Sequence, residues 1–432
     1  MNDPGRPDPA RDRSRNPPPK RARAGADADF AAVRARTLAL AEPLSEEDCC
    51  VQSMPDASPV KWHLAHTTWF FETFILEKYE RPFRPFNPAF RVLFNSYYNG
   101  VGEKHPRPQR GLLTRPALHE VHAYRADVDA RMAALLAARG EDRELRLLTT
   151  LGLNHEQQHQ ELILTDVKHL LSMNPLKPAY LRRTSASPAR AAPLEWLEFE
   201  GGVVEIGHDG NGFCFDNELP RHKQYLHPYR LASRLVTNGE YLRFVEDGGY
   251  GNPLLWLSEG WDWVQANAVE HPMYWMREGA AWTEFTLNGV RPLDPDLPVA
   301  HVSYFEADAC ARWAGARLPT EAEWEHAAGS LPVTGNLAGA EALHPRPATG
   351  PGLQQIFGDA WEWTQSSYAP YPGYRAPAGA IGEYNGKFMV NQYVLRGGSC
   401  ATPDDHIRAT YRNFFPAAAR WQFSGVRLAR DL

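Results

Sequence analysis

Two histidines four residues apart, His155 and His159, stand in the run Asn154-His155-Glu156-Gln157-Gln158-His159. On a helix that spacing sends both imidazoles out of one face about a turn apart, which is what gripping a single ion requires. A third ligand is available at His66, on a segment whose inward stripe also carries Trp62, Trp69, Thr73 and Leu76. His63 lies three residues before His66 and aligns with apolar neighbours equally well, so periodicity leaves the two open as alternatives. Three neutral imidazoles leave positions on a cation for other ligands. Imidazole suits zinc, copper, iron and nickel alike, so spacing does not name the metal. The competing reading makes all of these ordinary core histidines. A second rival takes His155-Glu156-x-x-His159 as the zinc-protease signature, with Glu156 as general base. The glycine and third histidine that continue that signature in many proteases do not follow His159, and a proline-rich stretch comes instead.

Four amphipathic segments must position these groups. The first carries Phe30, Val33, Thr37 and Leu40 and is stopped by Pro43. The second opens at Ser58-Pro59, a cap followed by a proline at the first helical position, and bears His66. The third runs from Leu118 through Val121, Arg125, Val128, Met132 and Leu135 to Gly140. The fourth spans about 143–171 and aligns Leu148, Leu151, His155, His159 and Leu162. Four such helices imply a bundle, and bundle interiors are where facing helices build metal sites. The expected bundle occupies residues 29–174, and a proline-rich linker follows over 175–194. Residues 195–432 alternate short β-like runs, such as 201–207, with turns and brief helices near 237–247 and 303–328, an irregular α+β domain. Residues 1–28, rich in Pro, Arg and Asp, read as a disordered tail.

Composition narrows the function classes. A formal charge of −6 on 432 residues offers no basic footprint for nucleic acid. The five cysteines Cys49, Cys50, Cys214, Cys310 and Cys400 form an odd set without repeated spacing, which points away from a disulfide framework and toward a reducing compartment. No apolar run approaches the roughly 18–20 residues of a membrane helix, and no secretory signal opens the chain. The expectation is therefore a cytoplasmic protein without membrane or nucleic-acid partners.

Three further runs sharpen the reading. Trp62-His63-Leu64-Ala65-His66-Thr67-Thr68-Trp69-Phe70-Phe71-Glu72, Phe94-Asn95-Ser96-Tyr97-Tyr98 and Asn154-His155-Glu156-Gln157-Gln158-His159-Gln160-Glu161 together resemble the ergothioneine-biosynthesis sulfoxide synthases. The later motifs Leu318-Pro319-Thr320-Glu321-Ala322-Glu323-Trp324-Glu325, Trp361-Glu362-Trp363-Thr364, Leu395-Arg396-Gly397-Gly398-Ser399 and Phe423-Ser424-Gly425-Val426-Arg427-Leu428 look like a formylglycine-generating-enzyme domain. The resemblance spans about residues 30–430. It implies a DinB-like four-helix bundle followed by a C-type-lectin-like domain, with the active site between them.

The resemblance also implies roles. The second histidine of the H-x-x-H run is the family ligand, which selects His66, and with His155 and His159 it would hold Fe(2+). The family joins the sulfur of γ-glutamylcysteine or cysteine to the imidazole C2 of hercynine, using O2 and leaving a sulfoxide. A tyrosine near the iron donates a proton or hydrogen atom, for which Tyr97 and Tyr98 are the candidates. Gln158 resembles the glutamine that hydrogen-bonds the substrate imidazole, and Asn413, Phe414 and Phe415 match a segment that reaches the trimethylammonium pocket. Arginine is expected on the substrate carboxylates, with Arg91, Arg396, Arg412 and Arg420 as alternatives. Selenoneine-forming relatives with a selenosugar donor share the architecture. A formylglycine-generating oxidase would need a cysteine pair where the C-terminal stretch offers only Cys400, and a lectin-like binding module would leave the histidines without a purpose.

Overall fold

The computed structural model of the protein describes residues 26–182 and 189–432. Nearly all of the tail expected over 1–28 lies outside the described residues, as do 183–188 of the expected linker. The N-terminal half is a bundle of α1 (Ala26–Ala41), α2 (Val60–Phe71), α3 (Leu118–Arg139) and α4 (Arg143–Met173). Every residue of α2 is buried, and a π-helical turn at Glu72–Leu76 prolongs it. The start of α4 is set by Asp142, whose carboxylate accepts from the backbone N–H groups of Glu144 and Leu145 at 3.0 and 3.1 Å. The start of α2 differs from expectation. Pro59 itself is the cap residue, with no side-chain cap bond, because the Ser58 hydroxyl accepts from Arg110 and the Ser58 N–H donates to Asp166.

Two features bring the histidine-bearing helices together. At Gly152 of α4 a Cβ would stand 2.6 Å from Phe71 Cε1, so only glycine permits the close approach of α2. Beside it, the fully buried Glu156 pairs with Arg34 of α1 at 2.8 Å and with Arg125 of α3 at 2.9 Å. A carboxylate between two buried guanidiniums ties three helices to one point.

The C-terminal half is built from small sheets. One has the order β1-β4-β12, from β1 (Trp196–Phe199), β4 (Tyr229–Ala232) and β12 (Ala429–Asp431). A ribbon pairs β2 (Gly202–Ile206) with β3 (His222–Leu226). A meander joins β5 (Trp275–Glu278), β6 (Ala281–Thr286) and β7 (Gly289–Pro292). The largest sheet has the order β10-β9-β8-β11, with β8 (Trp361–Ser367), β9 (Gln392–Arg396), β10 (Asn413–Pro416) and β11 (Ser424–Gly425). The helices of this half are α5 (Asn238–Glu246), α6 (Ser258–Asn267), α7 (Tyr304–Trp313) and α8 (Glu321–Ala328), of which α7 packs on β8 and α8 on β2, β3, β8 and β9.

The motifs behind the second resemblance hold this half together. Arg427 pairs with Glu362 at 2.6 Å, Trp324 donates to Glu362 at 2.8 Å, and Arg396 pairs with Glu325 at 2.9 Å, all buried. Thr320 and Glu323 cap α8 reciprocally, at 3.1 and 2.8 Å. The order is thus a helical bundle followed by an α+β domain, as the resemblance implied.

The two halves meet along α4. Glu161 accepts from Trp361 Nε1 at 2.7 Å, from Ser399 Oγ at 2.6 Å and from Thr402 Oγ1 at 2.9 Å, while Gln157 donates to Asp405 at 2.6 Å. Tyr180, in the proline-rich stretch, is buried and donates to Leu40 O at 2.6 Å. Among the described residues no helix is long and apolar enough to cross a membrane.

Candidate metal centre

The site grows from α2 and α4. His66 comes from α2, and His155 and His159 leave α4 one turn apart. One nitrogen from each of the three lies within 4.8 Å of the others, and all three side chains are buried. The rings stand close and steeply inclined, with centroids 4.6 to 4.9 Å apart. His66 is clamped between Trp62 and Trp69, stacked at 4.5 and 5.5 Å. Its Nδ1 lies 2.6 Å from Phe94 O, a pure acceptor, so Nδ1 carries the proton and Nε2 faces the cluster with a lone pair.

Burial pushes the His155 imidazole down to about 3, and burial together with the neighbouring histidines holds His66 and His159 well below their ordinary value. All three are therefore neutral near pH 7, the state in which imidazole binds a metal. His66 Nε2 and His155 Nε2 are 3.2 Å apart. Neighbouring nitrogens on one cation, each at about 2.0–2.1 Å, are separated by roughly 3 Å. The donor set and its spacing fit a single metal ion. Glu156 does not take part, because its carboxylate points into Arg34 and Arg125, which hold it at about 2 against the upward push of burial. The protease reading thus has no base at the metal.

The C-terminal half closes the open side. Tyr384 lies edge-on to His155 with ring centroids 5.7 Å apart. Its hydroxyl donates to Gln158 Oε1, and Gln158 Nε2 donates to Tyr411 Oη at 2.6 Å. Tyr97 meets Tyr384 at 6.1 Å, and Tyr98 meets Tyr97 at 4.7 Å. Glu383 draws these groups together by accepting from Asn99 N at 3.0 Å and Gly100 N at 2.6 Å, while Lys387 donates to Tyr97 O. Phe388 stands edge-on to Tyr97 at 5.0 Å, and Phe414 stacks beyond it on Phe388 and Tyr368. Strand alternation sends Phe415 the other way, against Trp421 at 5.8 Å, and Asn413 Oδ1 accepts from Phe414 N.

Four arginines considered from the sequence are already engaged. Arg396 and Arg412 share Glu321, Arg91 pairs with Glu77, and Arg420 lies 3.4 Å from Glu306. Arg110 is different. It is 5 % exposed, makes no ion pair with a carboxylate among the described residues, and lies 3.4 Å above the ring of Trp62, which stacks on His66. Among the described residues its one side-chain hydrogen-bond partner is Ser58 Oγ at 2.8 Å, and burial pushes the guanidinium down to about 9. Sequence reasoning missed Arg110, Tyr384 and Phe388. The basic run His105-Pro106-Arg107-Pro108-Gln109-Arg110 was a signal for the first; the loop carrying the other two has none. All five cysteines are free.

Comparison with known proteins agrees with this division. Residues 29–163 match the DinB superfamily, and residues 184–342 and 341–432 match the sulfatase-modifying factor enzyme 1-like domain. A formylglycine-generating enzyme of Streptomyces coelicolor is 28% identical over 52% of this chain and 82% of its own. A hercynine oxygenase of Mycolicibacterium smegmatis is 32% identical over 94% of this chain and 98% of its own. One from Mycobacterium tuberculosis is 35% identical over 93% of this chain and 98% of its own. With both halves matched and a relative aligned along almost the whole length, the chain belongs to the hercynine oxygenase family of oxidoreductases.

Proposed function

We propose that the protein is an Fe(2+)- and O2-dependent sulfoxide synthase. It joins the sulfur of γ-glutamylcysteine or cysteine to C2 of the hercynine imidazole. The overall change consumes one thiol S–H, one imidazole C–H and one O2, and yields the sulfoxide and water. The observation that carries the reading is the convergence of three neutral, buried imidazoles under a wall that Tyr384 of the other domain forms with Tyr97 and Tyr98.

His66, His155 and His159 are the ligands in this reading. Bound Fe(2+) would supply O2 activation and a Lewis-acidic seat for the thiol. Three protein ligands leave room for the reactants to meet with their translational freedom already lost. Gln158, its amide held by Tyr384 and Tyr411, is the contact for the hercynine imidazole. The trimethylammonium cation cannot donate a hydrogen bond and suits the aromatic faces of Tyr97, Phe388 and Phe414; Asn413 and Phe415 back that strand. Arg110, a buried cation without a carboxylate, is the seat for a substrate carboxylate.

Tyr384 is the tyrosine whose ring meets a ligand imidazole and the proposed proton or hydrogen donor, with Tyr97 and Tyr98 behind it. Burial holds the Tyr384 phenol well above its ordinary value, so it keeps its proton at neutral pH. The test is anaerobic loading with Fe(2+) followed by O2 uptake. One iron per chain, lost in His159→Ala, and uptake that requires hercynine and a thiol together support the reading. Uptake independent of hercynine contradicts it.

A further inference from the structure

His63 sits in the same H-x-x-H run as His66 and is not one of the three grouped histidines, yet it is 2 % exposed and tightly engaged. Its Nδ1 lies 2.8 Å from Nδ1 of His159, and its Nε2 lies 3.0 Å from Asp166 Oδ2. The same Asp166 oxygen accepts from the backbone N–H of Ser58 at 2.8 Å. Asp166 is 6 % exposed. The chain therefore runs from a buried carboxylate through one imidazole to a second that belongs to the metal cluster.

With His63 neutral, the state that metal binding at His159 Nε2 requires, donors and acceptors place the protons along this chain. Asp166 Oδ2 receives the Ser58 N–H, which can only donate, and as a carboxylate oxygen it accepts from His63 as well. His63 Nε2 thus carries its proton, and a neutral imidazole then has a bare Nδ1. That bare nitrogen faces His159 Nδ1, which must donate. The remaining His159 nitrogen, Nε2, keeps its lone pair for the cluster.

We infer that His63 and Asp166 are positioning residues: they form a relay that locks His159 in the tautomer whose Nε2 binds the metal and strengthens it as a donor. The inference rests on the reading of the triad as a metal site. The three ligands then differ in their outer surroundings. His66 donates to a backbone carbonyl, His155 Nδ1 has no hydrogen-bond partner among the described residues, and His159 alone is backed by a carboxylate through a second ring. Outer partners of this kind change metal affinity by about 10- to 100-fold when removed.

The test uses the full chain, Co(II) as a visible-absorbing probe, and four variants. His63→Leu breaks the relay. His63→Gln rebuilds it, because a glutamine oxygen accepts from His159 and its amide donates to Asp166. Asp166→Asn removes the charge while keeping acceptors, and His159→Ala removes a ligand. The expected result is one Co(II) per chain in the wild type and in the His63 and Asp166 variants. Affinity should fall about 10- to 100-fold in His63→Leu, with shifted ligand-field bands, and be largely restored in His63→Gln. Asp166→Asn should fall between them. Wild-type affinity and spectrum in His63→Leu would overturn the relay. So would loss of stoichiometric binding in both His63 variants, as in His159→Ala, because His63 would then itself be a ligand. Failure of the wild type to bind Co(II) would overturn the metal reading instead, an outcome distinct from both.

Discussion

Tyr384 packs edge-on against His155, with ring centroids 5.7 Å apart, although His155 belongs to the bundle and Tyr384 to the C-terminal domain. Neither half alone has both the ligands and the wall, so the chemistry depends on how the halves meet. If this hydroxyl is the donor, Tyr384→Phe keeps the ring and removes only the proton. Its kcat is expected to fall by about 10²- to 10⁴-fold, the range for a positioned acid, with KM for hercynine little changed. Tyr97→Phe and Tyr98→Phe are expected to cost less; a larger loss in either would move the donor role to it.

Arg110 is the buried guanidinium above Trp62 that has no carboxylate partner among the described residues. Its replacement removes a ligand contact without orphaning an acid. In Arg110→Met the KM of one carboxylate-bearing substrate is expected to rise by roughly 10- to 100-fold, equivalent to one charge-assisted hydrogen bond. Far-UV circular dichroism and the melting temperature should stay near wild type. Steady-state kinetics with each substrate varied in turn identify which carboxylate is held.

Glu156 has the opposite character. Its loss leaves Arg34 and Arg125 buried and facing each other. Glu156→Ala is expected to destabilise the protein by about 3–5 kcal/mol in urea unfolding, the cost of breaking a buried pair on one side. A loss of activity without loss of stability would instead return this residue to the catalytic role that the zinc-protease signature gives it.

A pH effect follows from His406, which joins the halves through Asn154 of α4 at 3.0 Å and holds Tyr411 of its own half at 3.1 Å. Burial, with Arg408 adding positive charge, holds its imidazole well below the ordinary value. The folded chain keeps His406 neutral, whereas the unfolded chain takes up a proton below about pH 6.5. Its contribution is therefore present above that pH and is lost as pH falls from there toward the depressed folded value. Each such proton steepens the fall by about 1.4 kcal/mol per pH unit. Urea unfolding between pH 5 and 7 should show a shallower fall in His406→Gln; an unchanged slope would contradict the assignment.

Much of the bundle was legible because its signals are local. Helical periodicity and the one-turn spacing of His155 and His159 needed nothing from the rest of the fold. The choice between His63 and His66 was not local: both lie on one buried face, and only the partners Phe94 and Asp166 tell them apart. Ser58 read as a cap because its type and place suit one, but Arg110, remote in sequence, takes its hydroxyl. The meander β5 to β7 and helix α6 were absent from the expectation, since short elements are set by packing more than by propensity. Tyr384 directly follows one short 3₁₀ turn and Phe388 ends the next, and neither has any hydrophobic period. The contacts of Glu383, Lys387 and the Tyr384 hydroxyl across the domain boundary bring them to the histidines.

The central claim is the bond between sulfur and the imidazole carbon. The most direct measurement is the product mass after the Fe(2+)-loaded enzyme meets hercynine and O2 with γ-glutamylcysteine, cysteine or a selenosugar in parallel. The account expects a hercynine–thiol sulfoxide with one of the two thiols, absent from His159→Ala. Product with the selenosugar alone would contradict the sulfur assignment, and no adduct with any donor from an iron-loaded enzyme would contradict the reaction itself.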